Sequence, residues 1–274
     1  MYWQRSILKE NGKVSLNNCY WLSFAVSFVA AMLAGGIISI IHSIYSISIF
    51  GNSLFNYQRF LAFFRNYGYN PYDDSELFNF SIPYFINLLG QMFGLLLLTT
   101  LLSIFIGAAM RVGSCRYYVH KRFNDTRFSN LFSGFQQNWI NTVGVTFVTD
   151  LFCVLWGLLF IIPGIVKHYQ YYYVDFLLAD NPNLSGSRAR QLSRMLSNQE
   201  KGRLFVFDLS FFWWYVLVGI TSPLTLGLSY TFLAPYLASS RAELYIFVRD
   251  RAINSGALDA AELGLFPQQT PPVC

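Results

Sequence analysis

Three aspartates stand inside stretches that are almost free of other charge, and each shares a helical stripe with further polar side chains. Asp150 lies at the edge of a stripe formed by Thr142, Thr146, Thr149 and Cys153, which recur at the i, i+4, i+7, i+11 spacing of one helix face. His168, Tyr172 and Asp175 share a second face, and Asp208, Phe212, Tyr215, Gly219 and Ser222 a third. A carboxylate at the centre of a bilayer costs about 2.5 to 3.5 kcal/mol on insertion scales, so such residues have a partner, water or a task. Three kinds of chemistry fit: a polar interior that holds the headgroup of an amphipathic molecule, acid–base work by Asp150, Asp175 or Asp208, or hydrogen bonding between packed helices. Asp150 is the deepest and has no basic residue in its own run. Asp175 is expected to meet Arg190 or Arg194, and Asp208 to meet Lys201 or Arg203.

The elements that carry these stripes are membrane-like. The 274 residues are 54% hydrophobic and 12% charged, about half the charge of a soluble domain. Runs without Asp, Glu, Lys or Arg reach the roughly 20 residues a spanning helix needs. They predict an all-α, polytopic transmembrane helical bundle with six spans over 20–45, 82–108, 139–162, 164–180, 204–222 and 224–241. These form one domain over residues 1–248, followed by a short cytoplasmic tail over 249–274. Pro163-Gly164 ends the third span and opens the fourth, because proline lacks an interior N–H and glycine tolerates a turn. Residues 183–203 read as a cytoplasmic amphipathic helix, with Ala189, Leu192, Met195 and Leu196 opposite Arg190 and Arg194. In the outer loop, a helix from Ser53 to Asn66 would lie in the membrane interface.

Of the 19 Lys and Arg, all but Arg59, Arg65 and Lys167 fall in alternate segments on one side, which places both termini in the cytoplasm of a cell-membrane protein. That bias explains the basic balance of +5 without nucleic acid. The partners it implies are membrane lipids, including anionic headgroups on the cytoplasmic side, and an unknown membrane protein or a second copy. Cys19, Cys115, Cys153 and Cys274 have no metal-ligand spacing, and Asp73, Asp74 and Glu76 lack that of a calcium loop. No metal and no cofactor are therefore expected. There is no GxSxG, HExxH, Walker or Rossmann signature, so an enzyme is not the first reading.

The chain resembles a bacterial membrane-protein family catalogued as domain of unknown function 975. The likeness rests on Leu155-Trp156, Ile162-Pro163-Gly164-Ile165, Asn181-Pro182 with Leu184-Ser185, then Ala189, Ser193, Leu196 and Lys201. It continues through Leu204-Phe205, Leu209-Ser210-Phe211, Trp214 and Pro235-Tyr236, with weaker echoes at Leu8-Lys9, Tyr20-Trp21 and Phe132-Ser133-Gly134-Phe135. It departs at Ser197 and Gln199, where the family carries Met and Gly. The resemblance implies a multi-pass bacterial membrane protein and brings no catalytic residues. The function expected is a non-catalytic integral membrane protein that binds or moves an amphipathic lipid or peptide. The alternatives are an intramembrane hydrolase or transferase, and a structural or interaction protein.

Overall fold

A computed structural model describes residues 3–17, 19–36, 47–48, 51, 58, 74–136, 138–225 and 228–265. Among these there are helices and turns and no strand. The α-helices are α1 (Arg5–Leu16), α2 (Tyr20–Ala31), α3 (Asp74–Lys121), α4 (Trp139–Leu159), α5 (Ile161–Gln170), α6 (Val174–Asp180), α7 (Gly186–Leu196), α8 (Lys201–Leu209), α9 (Phe212–Thr221) and α10 (Ser229–Asn254). The chain forms two compact units, one of Met1–Ala34 with Phe105–Cys274 and the other of Gly35–Ile104. The second unit's described part is mainly the first half of α3, where Phe93, Leu96 and Leu98 are exposed. The expected interfacial helix over 53–66 and Asp73 lie outside the described residues, Gln58 alone excepted.

Of the six expected spans, three helical segments among the described residues are long and apolar enough to cross a membrane: Leu89–Lys121, Trp139–Leu159 and Lys201–Thr221. A fourth is formed if Arg5–Leu16 and Tyr20–Ala34, bent by 99°, count as one. The stretch 164–180 does not qualify because it is broken at Tyr171–Tyr173 into α5 and α6, of 10 and 7 residues. At 1.5 Å per residue the longer piece covers about 15 Å, half of a hydrocarbon core. Ser193 stitches this break, accepting from the Tyr173 N–H and donating to the Gln170 carbonyl. The stretch 224–241 became the polar first half of α10, with Thr231, Ser239 and Ser240 buried in protein.

The turn between α4 and α5 also falls earlier than Pro163-Gly164. It lies at Phe160, whose extended backbone (φ −154, ψ 138) caps both helices. Pro163 sits inside the first turn of α5, where its missing N–H would have had no intrahelical partner. Gly164 is needed for another reason: a Cβ there would stand 2.6 Å from the Gly157 Cα, so α4 and α5 pack backbone to backbone. At the open end of this hairpin Asn141 Nδ2 donates to the carbonyls of Pro182 (2.8 Å) and Leu184 (2.9 Å). Its tip is bare, with Leu158, Phe160 and Ile161 each more than 70% exposed.

The core of the first unit lies away from that tip. Tyr117, Tyr173, Leu177, Leu192, Leu204, Phe207 and Tyr245 are all fully buried. Helix α1 packs on α10, where Gly12 lets the Ser240 hydroxyl approach to 2.8 Å of where a Cβ would be. Helix α2 is tied to α3 by Ser27 and Tyr118, whose hydroxyls lie 2.6 Å apart. The tail expected from residue 249 is not separate. Helix α10 runs to Asn254, Leu258 and Leu263 are buried, and Asn181 Nδ2 donates to the Glu262 carbonyl. Residues 266–274 lie outside the described residues.

Glu262 also accepts from Arg188 Nε (2.5 Å) and Nη2 (2.9 Å). These bonds from Arg188 hold its carboxyl below the usual glutamate range. A depressed carboxyl stabilises the fold above its unfolded value, and the benefit disappears as pH falls through the folded value. Docking of this C-terminal turn should therefore weaken below about pH 4. The effect is at most about 1 kcal/mol, since Arg188 is well exposed. Hydrogen exchange of residues 258–264 between pH 6 and 3 checks it, and Glu262→Gln should flatten the profile. Equal pH dependence in that variant would exclude the pair as the cause.

A candidate polar cavity

A cavity of about 520 Å³ lies between α2, α3, α4, the α5–α6 turn and α10. Its charged wall begins at Arg111. This side chain was expected in a cytoplasmic loop, yet it projects from α3, which continues for ten residues beyond it. The arginine Nη2 donates to Asp150 Oδ2 at 2.6 Å, and its Nε lies 3.9 Å from Asp175 Oδ2. Two carboxylates from α4 and α6 thus converge on one guanidinium. The partner of Asp150 comes from another helix, which no inspection of its own run could reveal, and the partner of Asp175 is Arg111 where Arg190 or Arg194 was expected.

The opposite charged corner is Arg241 on α10. Its Nη2 donates to Asp208 Oδ1 at 3.1 Å, and the hydroxyls of Tyr169 and Tyr172 donate to the same carboxylate at 3.3 and 3.4 Å. Sequence reading named Lys201 or Arg203 for this role; the structure supplies Arg241. Asp208 stands behind Arg241 and is not itself part of the lining. Arg241 Nε is buried without a partner among the described residues.

Of the residues singled out from sequence, Thr149, Asp150, His168, Tyr172 and Asp175 face this cavity. Thr146 is buried elsewhere on α4 with its hydroxyl unpaired, Thr149 returns its hydroxyl to the Val145 carbonyl, and Tyr215 lies outside the lining. The motif residues have other places. Trp156 stacks beneath Lys167 Nζ at 5.1 Å, Pro182 closes the hairpin, Asn181 holds the C-terminal turn at Glu262, Lys201 opens α8, the Ser210 carbonyl accepts from Lys9, and Pro235 is buried inside α10. Gln199 holds φ +61, the left-handed conformation that favours the glycine expected there.

Sequence reasoning missed Arg111, Tyr118 and Arg241. The signal was there for the first two: the small residues Ala108, Ala109, Gly113 and Ser114 continue the helix beyond the apolar run, and small residues mark close packing, not a loop. Ala30, Ala31 and Ala34 from α2 and its continuation and Ala234 and Ala238 from α10 add an apolar part to the lining. The arrangement can take a polar group against the two ion pairs and an apolar group against the alanines.

Fold and cavity define an all-helical protein with several helices able to cross a membrane. Over residues 158–252 the chain matches the family described as "Protein of unknown function (DUF975)". The matched stretch runs from the end of α4 to near the end of α10, and so includes the hairpin tip, Asp175, Asp208 and Arg241 but not Arg111 or Asp150. No curated protein and no solved structure matches the chain.

Proposed function

We propose that the chain is a non-catalytic, multi-pass protein of the cell membrane whose cavity holds the polar part of an amphipathic lipid or peptide, for binding or transfer. The observation that carries this reading is that one cavity is lined both by four charged side chains, Arg111, Asp150, Asp175 and Arg241, and by five alanines. Arg111 and Asp150 are each about half exposed, so a ligand can reach the pair and exchange with it. Native mass spectrometry of the protein purified in mild detergent tests it. A co-purifying amphiphile is expected, and Ala234→Trp, which narrows the cavity from its apolar side, should lower its occupancy at least about tenfold at unchanged melting temperature. A folded Ala234→Trp variant that keeps its full occupancy would remove the cavity from the function.

The same reading puts both termini in the cytoplasm, supported by the distribution of basic residues. With the α4–α5 hairpin entering and leaving the bilayer on the cytoplasmic side, cysteines introduced at Asp74 and at Asn198 should then react with an impermeant reagent from opposite sides. Labelling of the two from one side would refute this topology. A second reading, an intramembrane hydrolase or transferase, is favoured by one observation: Asp150 and Asp175 face the same cavity. Both carboxylates already engage Arg111, which argues for binding over acid–base work. A co-purified amphiphile recovered in cleaved form from wild type and intact from Asp150→Asn would reverse that preference.

A further inference from the structure

A second recess, of about 790 Å³, opens between the start of α1 and α8. Trp3, Arg5, Lys9, Gly202, Arg203 and Ser210 form most of its wall, so three cations line it and no acid does. Lys9 is held in place: Nζ donates to the Ser210 carbonyl at 2.9 Å and sits 4.1 Å from the Phe211 ring centroid. That bond uses one of the three ammonium donors. Trp3 fixes the far wall, with its ring edge-on to Phe207 and its Nε1 donating to Glu200 at 2.6 Å. Glu200 is in turn neutralised by Arg251 Nη1 at 2.6 Å. Of the other charges on α1 and at the start of α8, Glu10, Lys13 and Lys201 lie outside the lining.

The recess runs along the first half of the Lys201–Thr221 segment, from Gly202 to Ser210, and that segment is one of those long and apolar enough to cross a membrane. Phe205, Leu209, Phe212 and Trp213 follow along that segment with exposures of 45%, 52%, 51% and 77%. A cluster of cations is thus continuous with an uncovered apolar face. A soluble anion would use only the first, whereas a lipid with a charged head and acyl chains uses both.

We propose that this recess binds the phosphate headgroup of an anionic phospholipid whose acyl chains lie on the exposed face of α8 and α9. The proposal rests on Lys201–Thr221 crossing the bilayer and not on the central cavity, so either can fail alone. Native mass spectrometry of the full chain in detergent, titrated with dioleoylphosphatidylglycerol or dioleoylphosphatidylcholine, is the test. Wild type should retain the anionic lipid in preference to the zwitterionic one. Arg5→Gln and Arg203→Gln, both at exposed positions, should each cut that preference about fivefold, and the triple variant with Lys9→Gln should abolish it while leaving phosphatidylcholine retention unchanged. Equal retention of the two lipids by wild type would overturn the proposal. So would an undiminished preference in the triple variant or, if that variant does not fold, in both single variants. Glycerol 3-phosphate bound as tightly as phosphatidylglycerol would assign the recess to a soluble phosphate and overturn the lipid.

Discussion

Gly113→Ala should prevent the first unit from assembling, although it adds a single methyl group. A Cβ at this position would overlap the Leu131 carbonyl, and one at Gly134 would overlap the Ala109 carbonyl in the same way. The two contacts are reciprocal. Helix α3 and the 3-10 helix Phe128–Phe135 lie backbone against backbone, with each glycine beneath a carbonyl of the other element. Backbone cannot swing aside as a side-chain tip can, so α3 would have to move bodily away from Leu131, which is fully buried. The expected cost is above about 4 kcal/mol, beyond the 0.5 to 3 kcal/mol of most substitutions. Helix propensity would recover about 1 kcal/mol of that at most. Gly144→Ala in α4 is the control: a Cβ there meets nothing within 4 Å, so the same change should be neutral or slightly stabilising. Melting temperatures in one detergent decide it, and a Gly113→Ala protein that melts with wild type would show that this contact is looser than described.

Arg249→Met should be the second most damaging change, by about 3 to 5 kcal/mol. Arg249 and Asp180 side chains are only 2% and 3% exposed, and Nη1 lies 3.1 Å from Asp180 Oδ2. The Tyr245 hydroxyl donates to the same oxygen at 2.7 Å, and Asp250 takes the arginine Nε and Nη2. Burial pushes the Tyr245 hydroxyl pKa well up, so this group remains a donor throughout the ordinary pH range. Removing the arginine leaves the Asp180 carboxylate buried with one phenol. The double variant Arg249→Met/Asp180→Asn removes that uncompensated charge and should recover more than half of the loss. Urea or thermal unfolding of wild type, the two single variants and the double variant measures the coupling. Additive single effects would mean that the two side chains do not act as a pair.

How far the architecture could be read from the chain differed from segment to segment. The helical class and most of the span expected over 139–162 followed from apolar length interrupted only by Asp150, because a long apolar run has few other folds available. The segment 164–180 misled for the same reason. Val174, Phe176, Leu177 and Leu178 are as apolar as lipid-facing residues but pack against protein, and hydropathy alone does not distinguish the two surroundings. Asp150, Asp175, His168 and Tyr172 were visible as polar interruptions, and the structure brings them to one cavity. The cationic partners of Asp150 and Asp208 were not visible, since Arg111 and Arg241 reach these two from 39 and 33 positions away along the chain. The charge rule assigned both arginines to cytoplasmic segments; the small residues around Arg111 pointed to a packed helix there, and nothing in local spacing marked Arg241.

The bare tip of the α4–α5 hairpin bears on what stability means for this chain. From Val154 to Ile162 every residue except Gly157 is exposed, so beyond the Gly157–Gly164 contact the tip makes little use of the rest of the protein. With the hairpin embedded in a bilayer, its surroundings are acyl chains. Whatever orders it there comes from their thickness and lateral pressure, while Tyr173, Tyr245 and Arg249 are ordered by contacts within the protein. In a bilayer the molecule would thus answer to two solvents: the packed core carries its stability with it, and the hairpin tip would take its order from the surrounding lipid.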